Sequence, residues 1–211
     1  ERLLARQPRI LGLGVYIWNA RESAELVALL KRLAPDLTIV LGGPEVSHEP
    51  ADQAIVGDAD YVIAGQGDLA FRELCLQLLA GVRPAEKFIE AAPPRPDALE
   101  LPYPYYSDTD IARRLIYVEA SRGCPFKCEF CLSALDRTAV PFDLDRFLVS
   151  MDALHKRGAR HFKFVDRTFN LKVDTGRRIL QFFLDRLSED LFLHFEVIPD
   201  RLPDGADDAL V

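Results

Sequence analysis

Short, near-continuous apolar runs alternate with amphipathic stretches of helical period along this chain, and that order leaves few folds open. "RILGLGVYI" (9–17), "LTIVLGG" (37–43), "YVIAG" (61–65), "LIYVEA" (115–120), "HFKFV" (161–165) and "LFLHFEVI" (191–198) read as strands. A strand that is apolar at nearly every position is buried on both sides, and helices between successive strands make those strands parallel. The predicted class is therefore α/β, with parallel sheets covered on both faces.

The helix expected over Ser23 to Ala34 places Leu26, Leu29, Leu30 and Leu33 on one face and stops before Pro35. "LAFRELCLQLLAG" reads as a further helix ending at Gly81, and about Asp143 to Arg157 as another, with Asp143 as N-cap and Gly158 past its end. That helix carries Leu144, Phe147, Leu148, Met151 and Leu154 at core spacing, and a last helix is expected from Thr175 to Leu187. Between Gly81 and Arg114 lie six of the fourteen prolines and no hydrophobic period, so the expected organisation is a first domain (1–80), a Pro-rich linker (81–114) and a second domain (115–211).

A net charge of -7 argues against a surface that wraps nucleic acid. No apolar run approaches the roughly 20 residues that cross a bilayer, and the start lacks a signal-peptide core, so a cytoplasmic location without membrane partners is expected. The chain opens on Glu1 and closes on "DALV", which reads as a piece of a longer protein, truncated at both ends.

Three of the four cysteines, Cys124, Cys128 and Cys131, fall in eight positions of "SRGCPFKCEFC", while Cys75 stands alone in a helical stretch. This is not the spread framework of a disulfide-stapled domain. Closely spaced thiolates on one loop can hold an iron–sulfur cluster, and three instead of four leave one iron open to a ligand. Zinc with a histidine as fourth ligand is the alternative metal, although no second cysteine pair or adjacent histidine is present; buried structural thiols are the third reading.

"RGCPFKCEFC" resembles the signature loop of the radical S-adenosylmethionine superfamily. The resemblance implies that Cys124, Cys128 and Cys131 hold a 4Fe-4S cluster whose open iron chelates S-adenosylmethionine, which is then cleaved to methionine and a 5'-deoxyadenosyl radical. By matching position it places Phe130 near the adenine, and it makes the second half the first part of the family's partial (βα) barrel. Sites in such barrels gather at the C-terminal strand ends, so Asp166, Arg167, Asn170, Glu196 and Arg201 are candidates to grip the cofactor or the substrate. Each could equally be a helix cap or a surface ion pair. The Gly-Gly-Glu segment common after the family's second strand is missing, and "DRTFN" stands in its place.

In the first half, "GLGVYIW", "LGGPEVS" and "AGQGD" put glycines at three successive strand ends, without the G-x-G-x-x-G that opens a dinucleotide-binding helix. Such surfaces suit a flat, bulky ligand at a topological switch point. The pattern resembles the cobalamin-binding domain that precedes the radical core in one branch of the superfamily, so the first half is expected to be a partial doubly wound domain of that kind. Gly42, Gly43, Gly65 and Gly67 would then line the corrin, with Gly12 and Tyr16 close by. His48 follows the wrong strand to ligate cobalt, and the strands that would precede the first lie outside this sequence.

The whole resemblance implies a cobalamin-dependent radical S-adenosylmethionine enzyme that performs methyl transfer or a radical rearrangement on a small molecule. A small electron donor such as flavodoxin or ferredoxin would serve it. The alternatives are a radical enzyme without cobalamin and a non-catalytic iron–sulfur or zinc binding module.

Overall fold

The computed structural model describes residues 2–48, 53–131 and 139–198, and the chain divides into two compact units, Glu1–Arg95 and Pro96–Val211. In the first unit β1 (Ile10–Gly14), β2 (Thr38–Gly42), β3 (Tyr61–Gly65) and β4 (Phe88–Ala91) form one parallel sheet in that order. Helices α1 (Ala20–Leu33), α2 (Pro44–Ser47), α3 (Ala54–Asp58) and α4 (Asp68–Leu79) connect them.

Alternation along β2 and β3 sorts the core into two layers. Ile39, Leu41 and Val62 pack with Val27 and Leu30 of α1, whereas Val40, Tyr61 and Ile63 pack with Leu74 and Leu78 of α4. Both faces of the sheet are therefore covered, as its apolar runs require. Two expectations need correction. The α1 stripe is Ser23, Val27 and Leu30, while Leu26, Leu29 and Leu33 are exposed. The helix sequence offers two apolar stripes, and packing on the sheet and α3 selects the one through Val27 and Leu30. The Pro-rich stretch also contributes β4, whose Ile89 and Ala91 close the α4 layer. With the described strands in sequence order, no reversal of strand order occurs among them.

In the second unit α5 (Asp108–Arg113) leads into β5 (Ile116–Val118), and β5, β8 (His161–Phe164) and β9 (Phe192–His194) form a parallel sheet in the order β5-β8-β9. Between β5 and β8 lie the antiparallel pair β6 (Ser121–Gly123) and β7 (Ala139–Pro141), followed by α6 (Leu144–Lys156). Helix α7 (Val173–Leu184) joins β8 to β9. Asp143 caps α6 as expected, its Oδ1 accepting the Arg146 N–H at 2.7 Å, and Gly158 follows with φ +98°. Phe147, Met151 and Leu154 of α6 and Ile179 and Phe183 of α7 pack on Ile116, Phe162 and Phe164. The rings of Phe147, Phe162, Phe164, Phe169, Phe183 and Phe195 meet at tilted and edge-on angles, so this core is largely aromatic.

Candidate functional site

In the first unit a cleft of about 550 Å³ opens at the C-terminal strand ends, within the range of small-molecule sites. Register explains its origin. Gly12 pairs with Val40 and Gly14 with Gly42, so these glycines all sit on the α4 face, where α4 covers only the deeper residues. Missing side chains, not a reversal of strand order, make the cavity. It brings together all six residues singled out in this half, Gly12, Tyr16, Gly42, Gly43, Gly65 and Gly67, and adds Gly14, Asp68 and Phe71.

The glycines have different reasons to be there. At Gly43 φ is +102°, and a Cβ would lie 2.5 Å from the Val15 carbonyl oxygen; at Gly65 φ is +85°, and a Cβ would lie 2.9 Å from that of Ala91. Both are demanded by the backbone whatever the cleft holds. Gly12 seats the Phe71 ring, 2.7 Å from where a Cβ would be. Gly42 is unlike these: the nearest atom to a Cβ there is the Ile63 oxygen at 3.6 Å, an ordinary contact. Its backbone lies bare on the cleft wall without a local demand for glycine. At the rim, Tyr16 stacks on the exposed Trp18 with centroids 4.6 Å apart. The Asn19 side chain holds that turn, accepting the Tyr16 N–H and donating to the Gly14 carbonyl. Phe71 could have been found from its helical spacing to Leu74 and Leu78.

In the second unit the cysteine loop leaves the C-terminal end of β5 through β6. Cys124 is buried, while Cys128 and Cys131 are exposed and joined by a turn in which the Cys131 N–H donates to the Cys128 carbonyl at 3.0 Å. No disulfide forms, so the donor set, three thiols on one loop, has the chemistry an iron–sulfur cluster needs. Exposure of two of the three does not fit buried structural thiols. Among the described residues, however, no three His, Cys, Asp or Glu side chains are gathered closely enough to hold a metal ion. The thiols are thus chemically suited but not drawn together in this conformation. Phe130 is 96% exposed.

Asp166 lies directly beneath the loop and is buried. Its carboxylate accepts the Ala120 N–H at 2.9 Å and the Ser121 hydroxyl at 2.8 Å. Burial pushes its carboxyl up to about 6, against the lowering effect of the Ala120 and Ser121 hydrogen bonds. The pocket beside it, about 20 Å³, has room for one water and for no part of a nucleoside. The buried Thr168 hydroxyl there has no partner among the described residues.

The other strand-exit candidates divide. Asn170 exchanges two hydrogen bonds with the Ile198 backbone, at 2.8 and 2.7 Å, and so ties the β8 exit to the β9 exit. Its amide is committed to the fold in place of the expected ligand grip. Arg167 and Glu196 form an exposed ion pair at 3.4 Å, and Arg201 lies outside the described residues. Sequence reasoning passed over Tyr103, a buried phenol that accepts the Glu119 N–H at 3.0 Å and donates to the Glu119 carbonyl at 3.1 Å. No helix among the described residues is long and apolar enough to cross a membrane.

Comparison with known proteins supplies the lineage. The family model for the B12 binding domain matches residues 1–75, which contain β1 to β3 and the cleft. A 2-(S-pantetheinyl)-carbapenam-3-carboxylate methyltransferase of Streptantibioticus cattleyicolor is 32% identical over 148 residues, covering 59% of this chain and 22% of that protein. The cobalamin-dependent radical SAM methyltransferase TokK of Streptomyces tokunonensis is 30% identical over 149 residues, with the same 59% and 22% coverage. The chain thus spans about a fifth of the length of these relatives. Among solved structures, the radical S-adenosylmethionine methyltransferase TsrM from Kitasatospora setae, with cobalamin and a [4Fe-4S] cluster bound, superposes with a TM-score of 0.60 at 18% identity. That likeness covers 85% of this chain and 41% of TsrM, and it bears on the fold. With a match to the B12 binding domain in its first unit and a cobalamin-dependent radical SAM methyltransferase among its relatives, the chain fits the radical S-adenosylmethionine superfamily, in the branch that carries such a domain.

Proposed function

We propose that this chain forms the cofactor-bearing part of a cobalamin-dependent radical S-adenosylmethionine enzyme that methylates a small molecule. The observation that carries the reading is the pairing, in one chain, of a glycine-floored cleft inside a B12-binding domain with a three-thiol loop at a strand's C-terminal end. Methyl transfer is favoured over rearrangement because the relatives at 32% and 30% identity are both named methyltransferases.

Cys124, Cys128 and Cys131 would hold a 4Fe-4S cluster after the exposed pair closes toward the buried Cys124. When bound, the cluster and S-adenosylmethionine supply one-electron cleavage of the sulfonium, and cobalamin supplies a carrier for the methyl group. The protein's own part is to bind, orient and exclude water. Gly42 leaves room for the corrin, Gly43, Gly65 and Gly67 shape the turns around it, and Gly12 acts indirectly by seating Phe71. Tyr16 offers an aromatic rim. In the second unit Phe130 would lie against the adenine, and Glu196 with its partner Arg167 would offer both charge signs to the amino-acid end of S-adenosylmethionine. Asp166, with both oxygens already engaged, serves the loop. A small redox protein, flavodoxin or ferredoxin, would supply the electron.

The test is made on the full-length protein. Titration with hydroxocobalamin should shift its visible spectrum, and anaerobic loading with iron and sulfide should give a cluster that produces 5'-deoxyadenosine from S-adenosylmethionine when reduced. Absence of a spectral shift refutes the cobalamin assignment. A reduced cluster that yields no 5'-deoxyadenosine refutes the enzyme.

A further inference from the structure

The chain must leave the β5 ladder at Val118 and turn into β6 at Ser121, and the backbone groups exposed by that turn are all engaged. The Val118 carbonyl accepts the Val165 N–H at 2.9 Å. Glu119 gives both its N–H and its carbonyl to the single hydroxyl of Tyr103. The Ala120 N–H goes to Asp166, and the Ala120 carbonyl accepts the Phe142 N–H at 3.0 Å. Ser121 to Gly123 then enter the β6–β7 ladder, and the Ser121 hydroxyl returns to Asp166. A partly buried turn whose Glu119 and Ala120 backbone groups are tied to fixed partners has few alternative arrangements.

Two of these partners come from far along the chain. Tyr103 belongs to a short 3-10 turn (Tyr103–Tyr105) and is wedged edge-on against Phe147 of α6, while Asp166 stands at the β8 exit. Glu119 and Arg122 reinforce the turn with an ion pair at 2.9 Å, and Arg122 also reaches over the Phe142 ring. Cys124 follows this stem directly and is the one buried thiol of the three; Cys128 and Cys131 extend beyond it into solvent.

We infer that Tyr103 and Asp166 are positioning residues that clamp the stem of the cysteine loop, so that Cys124 is held in place before any cluster is bound and Cys128 and Cys131 close onto it. The inference rests on the cluster reading above and adds what sets the geometry of the first ligand. Groups that orient metal ligands without touching the metal typically matter by about 10- to 100-fold in affinity or activity.

The test uses full-length protein reconstituted anaerobically with iron and sulfide, comparing wild type with Tyr103→Phe, Ser121→Ala and Asp166→Ala. Tyr106→Phe is the control: the Tyr106 hydroxyl also bonds a backbone carbonyl, that of Tyr117, but outside the stem. The readouts are the electron paramagnetic resonance signal of the reduced cluster, with and without S-adenosylmethionine, and KM against kcat for 5'-deoxyadenosine formation. Tyr103→Phe and Ser121→Ala are expected to remain folded, to broaden the cluster signal and its response to S-adenosylmethionine, and to lower kcat/KM by about 10-fold or more. Tyr106→Phe should match wild type in both. Signals and kcat/KM within twofold of wild type in Tyr103→Phe and Ser121→Ala would overturn the clamp while leaving the cluster reading intact. A wild-type protein that takes up no cluster overturns both. Should Asp166→Ala fail to fold, the two hydroxyl deletions, which leave no cavity of consequence, carry the result.

Discussion

Adding one methyl group to the floor of the cleft separates a glycine kept for a ligand from a glycine kept for the backbone. Gly42 and Gly43 are adjacent, yet a Cβ at Gly42 meets only the Ile63 oxygen at 3.6 Å, whereas one at Gly43 would lie 2.5 Å from the Val15 oxygen and 2.8 Å from its nitrogen, at φ +102°. Gly42→Ala should therefore leave stability within about 1 kcal/mol of wild type, in the stabilising direction, because alanine loses less backbone freedom on folding. Gly43→Ala combines left-handed strain of about 1–2 kcal/mol with a backbone clash that only displacement of β1 relieves, for a total loss of at least about 3 kcal/mol. Binding should respond in the opposite order of subtlety. The Gly42→Ala methyl enters the cleft where a corrin would lie, and overpacking by one carbon costs about 1–3 kcal/mol, or roughly 5- to 150-fold in Kd. Urea unfolding and a hydroxocobalamin titration of full-length protein measure the two effects. A Gly42→Ala protein that is stable and binds hydroxocobalamin within twofold of wild type would refute the argument that this bare surface exists for the ligand.

Asp166 predicts a pH dependence. Its carboxyl is raised from 3.8 to about 6 by burial, so the folded state holds its proton more tightly than the unfolded state does. The contribution to stability is fully present below about pH 4 and is lost as pH rises through about 6, by an amount near 3 kcal/mol for a shift of roughly two units. The difference in unfolding free energy between wild type and Asp166→Asn, followed from pH 4 to 7, should fall with rising pH; a rise would mean that the carboxylate is stabilised by an unseen cation. Asn170→Ala removes both bonds to the Ile198 backbone and should cost about 1–3 kcal/mol locally. Faster amide hydrogen exchange at Ile198 is the measurement, and unchanged exchange would show that the β9 exit is held by other groups.

Much of this architecture was legible in the sequence because it rests on short-range pattern. Apolar runs located every strand of the two parallel sheets except β4, whose "FIEA" is too short and too mixed to stand out from the surrounding prolines. Helix α6, its Asp143 cap and its Gly158 stop were legible because cap and core spacing agree over thirteen residues. The rotation of α1 was not, since the leucine stripe of Leu26, Leu29 and Leu33 competes with the stripe through Val27 and Leu30, and only the sheet decides between them. The glycines of the cleft were visible as a set, but their separate reasons depend on register, which sequence does not contain: Gly12 answers to Phe71, and Gly43 to Val15. The clamp on the cysteine loop was hidden for a related reason. Tyr103 and Asp166 are joined to backbone groups 16 and 46 positions away, and a side chain that bonds a backbone leaves no signature in the identity of its partner.

Three thiolates on a clamped stem are proposed to hold a cluster with one iron left open. Iron and sulfide content of the anaerobically reconstituted full-length protein, measured together with 5'-deoxyadenosine formation in wild type and Cys124→Ala, tests it most directly. Wild type is expected to hold roughly four irons per chain and to cleave S-adenosylmethionine reductively, with both lost in Cys124→Ala. A wild-type protein that binds zinc in place of a cluster, or a Cys124→Ala protein that still cleaves S-adenosylmethionine at the wild-type rate, would contradict it.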